Sequence, residues 1–125
     1  MAVSPELMEW LAERFAPLGP VHRKRLFGGM CFYLEDAMFA AVLRDTLYFK
    51  CDDDTAAAFD AAGCEPFEYD KQGGTTVVPA FRRCPDSAMD DEDELLDWAR
   101  LGIAAGRRTV IEKAKKAARK KAKKK

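Results

Sequence analysis

From Leu26 to Cys51 the chain reads LFGGMCFYLEDAMFAAVLRDTLYFKC. Three short apolar runs, Met30–Leu34, Met38–Leu43 and Leu47–Cys51, are separated by Glu35-Asp36-Ala37 and Arg44-Asp45-Thr46, polar interruptions of hairpin-turn length. Phe, Tyr, Val and Cys suit a pleated, half-buried surface, and no run is long enough for an ordinary helix. The pattern predicts a three-stranded antiparallel meander. Phe27-Gly28-Gly29-Met30 enters its first strand, where two glycines permit positive φ or close approach of another backbone. A phosphate-cradling loop is the functional alternative, but the lysine-plus-hydroxyl ending of a P-loop is missing and the segment leads into a strand instead of a helix.

Helical patterns flank the meander. Ser4-Pro5 supplies an N-cap hydroxyl and a proline at N1, after which Leu7, Met8, Leu11 and Phe15 recur at helical spacing. Trp10 either closes the edge of that stripe or projects toward a partner. Pro17, Gly19 and Pro20 stop the helix. His22-Arg23-Lys24-Arg25 then reads as an exposed approach to a strand, with phosphate contact as the alternative. After the meander, Asp52 is placed to cap a short helix over Asp53–Ala62, stopped by Gly63. Strands over Phe67–Tyr69 and Thr75–Arg83 meet at Gln72-Gly73-Gly74. Pro79 cannot donate to a ladder, which predicts an edge position or a break there. Pro85–Asp90 reads as a loop. Asp91 and Glu94 have N-cap and N3 spacing, and Leu95, Trp98, Ala99 and Ile103 form the next apolar stripe, weakened toward its end by Gly102 and Gly106.

The expected fold is therefore a two-layer α+β domain, α-β-β-β-α-β-β-α, with a five-stranded antiparallel sheet covered by helices over residues 1–106. At 125 residues the chain suits one domain. The apolar residues of Val3–Leu18 are broken by Glu6, Glu9, Glu13 and Arg14, so no signal peptide or membrane span is expected, and the location expected by default is cytoplasmic.

Formal net charge is zero, yet Arg107–Lys125 holds 11 of the 21 basic residues and a single acid, Glu112. Ten basic residues are left against twenty acidic ones in Met1–Gly106. Such a split points to a charged partner. Residues 107–125 read as a disordered basic tail, because Val110 and Ile111 offer too little apolar surface to offset the ordering entropy. Its candidate nucleic-acid-binding residues are Arg107, Arg108, Lys113, Lys115, Lys116, Arg119, Lys120, Lys121, Lys123, Lys124 and Lys125. With no Asn, Gln or aromatic group for base edges or stacking, the tail is expected to bind with little sequence preference.

No catalytic residue, metal ligand or cofactor is expected. Cys31, Cys51, Cys64 and Cys84 stand far apart without a C-x-x-C pair and read as buried thiols. An acid triplet at Asp52-Asp53-Asp54 lacks the alternating spacing of a calcium loop. An enzyme would need a cleft joining the lone His22, a cysteine and an acid of residues 86–97.

Taken in order, Leu26-Phe27-Gly28-Gly29-Met30, Tyr33-Leu34, Met38-Phe39, Leu47-Tyr48-Phe49-Lys50, Ala62-Gly63-Cys64-Glu65-Pro66-Phe67 and Leu95-Leu96-Asp97-Trp98-Ala99 resemble the TfoX N-terminal domain, or Sxy-like, family. The resemblance covers most of Pro5–Ala105. It implies a secretion-chaperone-like fold, no catalytic residues, and a link to regulation of competence for DNA transformation. Better-known members of the family often carry a second, C-terminal domain where this chain has its Lys-rich tail. The function expected is a non-enzymatic regulatory or accessory module with a basic tail that gives non-specific nucleic-acid binding, to DNA or RNA. The alternative is a protein-interaction adaptor whose sheet binds a regulatory protein partner, or a second copy in a homodimer, while the tail solubilises the chain or folds back onto the acidic body.

Overall fold

The computed structural model describes residues 4–26 and 28–123. Helix α1 (Pro5–Phe15) starts as its sequence dictates, with the Leu7 N–H donating to Ser4 Oγ. It buries Met8, Leu11 and Phe15 and ends in a 3-10 turn at Ala16–Leu18. Strands β1 (Val21–Leu26), β2 (Gly29–Leu34), β3 (Ala37–Leu43) and β4 (Thr46–Lys50) follow. Then come helix α2 (Ala56–Ala61), strands β5 (Pro66–Lys71) and β6 (Gly74–Arg83), a single helical turn α3 (Asp86–Met89) and the long helix α4 (Glu92–Lys123).

All strand pairings are antiparallel, in the order β1-β2-β3-β4-β6-β5. The α+β class is as expected, with six strands where the sequence pattern predicts five. The added strand is β1, whose His22-Arg23-Lys24-Arg25 run lacks apolar alternation because it lies exposed along one edge of the sheet. Strand β6 is interior instead of an edge, yet the ladder does break where Pro79 requires it. Phe67 pairs with Val78 and Pro66 with Arg82, so Pro79–Phe81 stand opposite a junction that has no regular register.

One face of the sheet holds the main core. Phe32, Leu34, Phe39, Val42, Leu47 and Phe49 meet the stripes of α1 and α4. Phe15 reaches in from α1, its ring edge-on to Phe32 at 5.3 Å and to Phe39 at 5.2 Å. Burying each such ring contributes about 2–3 kcal/mol. A bulge explains the run Phe39-Ala40-Ala41-Val42: Phe32 pairs with Ala40 and Tyr33 with Met38, leaving Phe39 as the extra residue, so Phe39 and Ala40 both reach the main core.

Gly102 and Gly106, which by sequence only weaken a helix end, are where α4 lies directly on β3. A Cβ at Gly102 would fall on the Phe39 carbonyl oxygen, and one at Gly106 on that of Met38. Gly29 is crowded in the same way by the Val42 carbonyl, whereas Gly28 has open space and a φ of +74°. The two adjacent glycines thus meet the two separate demands their sequence allowed.

The basic segment is not disordered as far as Lys123, because α4 runs through it without interruption. As an independent segment it would have to nucleate its own helix against the ordering entropy. Here about five turns of α4 are already nucleated on the sheet, and extension into Ala, Lys and Arg, all strong helix formers, proceeds by propagation alone. No structural break falls at 106/107. Lys124 and Lys125 lie outside the described residues.

Candidate nucleic-acid interface

Helix α4 carries the basic segment beyond the packed body as one continuous helix. Its last half-buried residue is Val110, and Ile111 to Lys121 are exposed. At about 100° per residue, Lys113, Lys115, Lys116, Arg119 and Lys120 fall within one half of the helix circumference, and Ala114, Ala117 and Ala118 fall in the other with Lys121. Among the described residues, none of these six cations forms an ion pair within 4 Å. Lys123 belongs to the same helix.

The first two cations of the segment are used differently. Arg107 Nη2 lies 3.6 Å from Glu35 Oε1 in the β2–β3 turn. Arg108 places Nε 2.5 Å from Asp52 Oδ2 and Nη2 3.0 Å from Asp52 Oδ1, with Asp54 Oδ2 at 3.3 Å. Its hydrogen bonds hold the Asp52 carboxyl below the usual carboxylate range, against the opposing effect of burial. Asp52 also exchanges bonds with Thr55, the Thr55 N–H donating to Asp52 Oδ1 and the Asp52 N–H to Thr55 Oγ1. Thr55 is the N-cap of α2, which is why that helix begins three residues later than expected. Arg107 and Arg108 therefore anchor the base of this extension, and the cations available to a polyanion start at Lys113.

The basic segment does not lie on the acidic stretch 86–97 in this structure. A continuous helix separates Asp97 from Lys113 by about 24 Å. The acids there have local partners: the Glu94 N–H donates to Asp91 Oδ1, Trp98 Nε1–H and the Ser87 hydroxyl donate to Glu94 Oε2, and Asp97 holds Arg100 at 3.0 Å. At the start of the extension, Lys113 lies near Lys50, whose ammonium pKa is pushed down by burial first and by that like charge second.

Other residues singled out by sequence are dispersed. His22 is exposed on β1, stacked on Tyr33 at 5.3 Å, with Nε2–H donating to the Glu35 carbonyl at 2.6 Å. Trp10 packs against the rim of the main core with the Arg14 guanidinium 5.0 Å from its ring centre. The four cysteines are buried free thiols, and burial pushes the Cys84 thiol up to about 12. Among the described residues, no group of three or more His, Cys, Asp or Glu side chains is gathered to hold a metal ion. Among them, too, no helix is long and apolar enough to cross a membrane.

Two features have no counterpart in the sequence-based expectations. The Asp52–Arg108 pair spans 56 residues and has no local signature. The sheet face away from the helices has its own small core, Cys31, Ala41, Leu43 and Phe81, flanked by Tyr33, Tyr48 and Phe67. Its signal was the apolar character of both alternating sets in β2 and β3, which a sheet covered on one face does not need.

Comparison with known proteins places the chain in a family. The chain is 31% identical over 106 residues to the DNA transformation protein TfoX1 of Aliivibrio fischeri (strain ATCC 700601 / ES114), an alignment covering 75% of this chain and 50% of that protein. The chain thus spans about half the length of the curated relative it matches. The family model described as TfoX N-terminal domain matches residues 13–106, from within α1 through the glycine contacts of α4, and the protein belongs to that family.

Proposed function

We propose that this protein is a non-enzymatic regulatory or accessory module in DNA transformation, which holds nucleic acid through the basic extension of α4 without reading its sequence. The observation that carries the reading is the row of exposed cations from Lys113 to Lys121, unpaired among the described residues, on a helix fixed at its base by Arg107 and Arg108. The link to transformation rests on the family and on the name of the relative. Five cations of one half-surface make a strip about 10 Å long, and that length of duplex axis carries roughly six phosphate charges, so about five contacts is the ceiling.

Truncation after Glu112 tests this, since it removes the free cations and leaves both anchoring arginines. The full chain should bind duplex DNA with log K falling against log salt at a slope of about −4 to −5, a loss of several hundredfold from about 50 to 200 mM. Native and scrambled sequences should bind alike. The truncated chain should keep its melting temperature and lose binding. Equal binding by both chains at about 50 mM salt would overturn the proposal.

A second reading, an adaptor that binds a regulatory protein or a second copy, is favoured by the free edges that β1 and β5 leave on the sheet. Capture from lysate with and without nuclease separates the two: a stoichiometric protein retained after nuclease supports the adaptor.

A further inference from the structure

The face of the sheet opposite the helices is not flat. In a flat sheet three strand spacings, roughly 14 Å, separate β3 from β5. Here Leu43 and Arg44 at the end of β3 line one cavity together with Phe67 and Tyr69 of β5, Val78 and Phe81 of β6, and Gly28. The bend comes from the break at Pro79, beyond which the β5–β6 ribbon curls over the face until Phe67 stands edge-on to Tyr48 at 5.2 Å. The resulting trough has a volume of about 570 Å³, within the range of small-molecule sites.

Its lining is aromatic and aliphatic, with Arg44 as the one charged residue among those described. Arg44 is exposed and forms no ion pair among the described residues. The neighbouring Asp45 carboxylate accepts instead from the Ser4 N–H at 2.9 Å. Arg44 and Asp45 form the two-residue β3–β4 turn with φ of 53° and 58°. Asn-Gly would make such a turn with less strain, so the backbone holds a long cation in a costly conformation at the mouth of an apolar trough.

We propose that this trough is a binding site for a small amphipathic anion, a molecule with a flat apolar body and one carboxylate or sulfonate head. Phe67, Tyr69, Val78 and Phe81 enclose the body, and the Arg44 guanidinium pairs with the head. The site is separate from the α4 extension and does not depend on the nucleic-acid reading.

The test uses 1-anilinonaphthalene-8-sulfonate and its uncharged analogue N-phenyl-1-naphthylamine, titrated by fluorescence into the full-length folded chain. One saturable site per chain is expected for both probes. Arg44→Gln, at an exposed position, should weaken the sulfonate probe about tenfold and change the neutral probe less than twofold. Val78→Trp should fill the trough and abolish both. Octanoate and indole-3-acetate, as acyl and aryl carboxylates, show by displacement which kind of body fits. Non-saturating fluorescence, or an Arg44→Gln chain that binds both probes as the parent does, would overturn the proposal. So would sedimentation showing that a second copy covers the trough at the concentrations used.

Discussion

Gly28 and Gly29 are neighbours with opposite requirements. Gly28 has no atom within 4 Å of where a Cβ would stand but needs φ of +74°, so Asn, which tolerates the left-handed region, should be nearly neutral there and Val costly by about 1–3 kcal/mol. Gly29 has no such torsion but no room either, because the Val42 carbonyl and the Leu43 side chain occupy the space. Even Gly29→Ala should destabilise by about 1–3 kcal/mol. Urea melts of Gly28→Asn and Gly29→Ala check the contrast, and equal stability of the two variants contradicts it. The pair also shows what sequence can carry. A Gly-Gly step announces that a side chain is unwelcome, but only the position of β3 tells which glycine answers to torsion and which to crowding.

At the scale of elements, α4 rests on β3 through Gly102 and Gly106. Gly102→Ala should gain up to about 1 kcal/mol in helix propensity. It places a methyl on the Phe39 carbonyl, however, and the forced shift of helix from strand costs about 1–3 kcal/mol. The expected result is a net lowering of the melting temperature by several degrees. An unchanged or raised melt would show that helix and strand separate freely. The Asp52–Arg108 pair ties the next turn of α4 to the start of α2, and its effect depends on pH. Asp52 has a folded pKa below its unfolded value, so its contribution is present above about pH 4 and fades as pH falls through the depressed folded value. Arg108→Ala should cost about 1 kcal/mol near neutrality, given that both side chains keep some solvent exposure. The difference from the parent should shrink toward acid, and chemical denaturation at pH 7 and pH 3 checks it. The meander, α1 and the Asp91 start of α4 were legible because their signals are local: turn spacing, a Ser-Pro cap, acids at N-cap and N3. The glycine contacts and the long-range ion pair were not, because each depends on an element far away in sequence.

Over the whole molecule, the helices cover one face, the curled ribbon half-covers the other, and the excess positive charge is carried on the extension of α4. The division of charge between body and tail was readable from composition alone. Its helical form was not, since a Lys/Ala segment considered alone must nucleate a helix against the repulsion of its own charges, while the same segment grafted onto a packed helix inherits its nucleus. The outer edge of the sheet has a consequence for crowding. Two copies joining edge to edge along β1 would bring Arg23, Lys24 and Arg25 close to the same three residues of the other strand, and like charges would crowd the centre of the pairing. A strand that contributes little to the core therefore biases assembly: it disfavours a second copy along β1, leaves β5 as the edge open to one, and raising salt should weaken that bias.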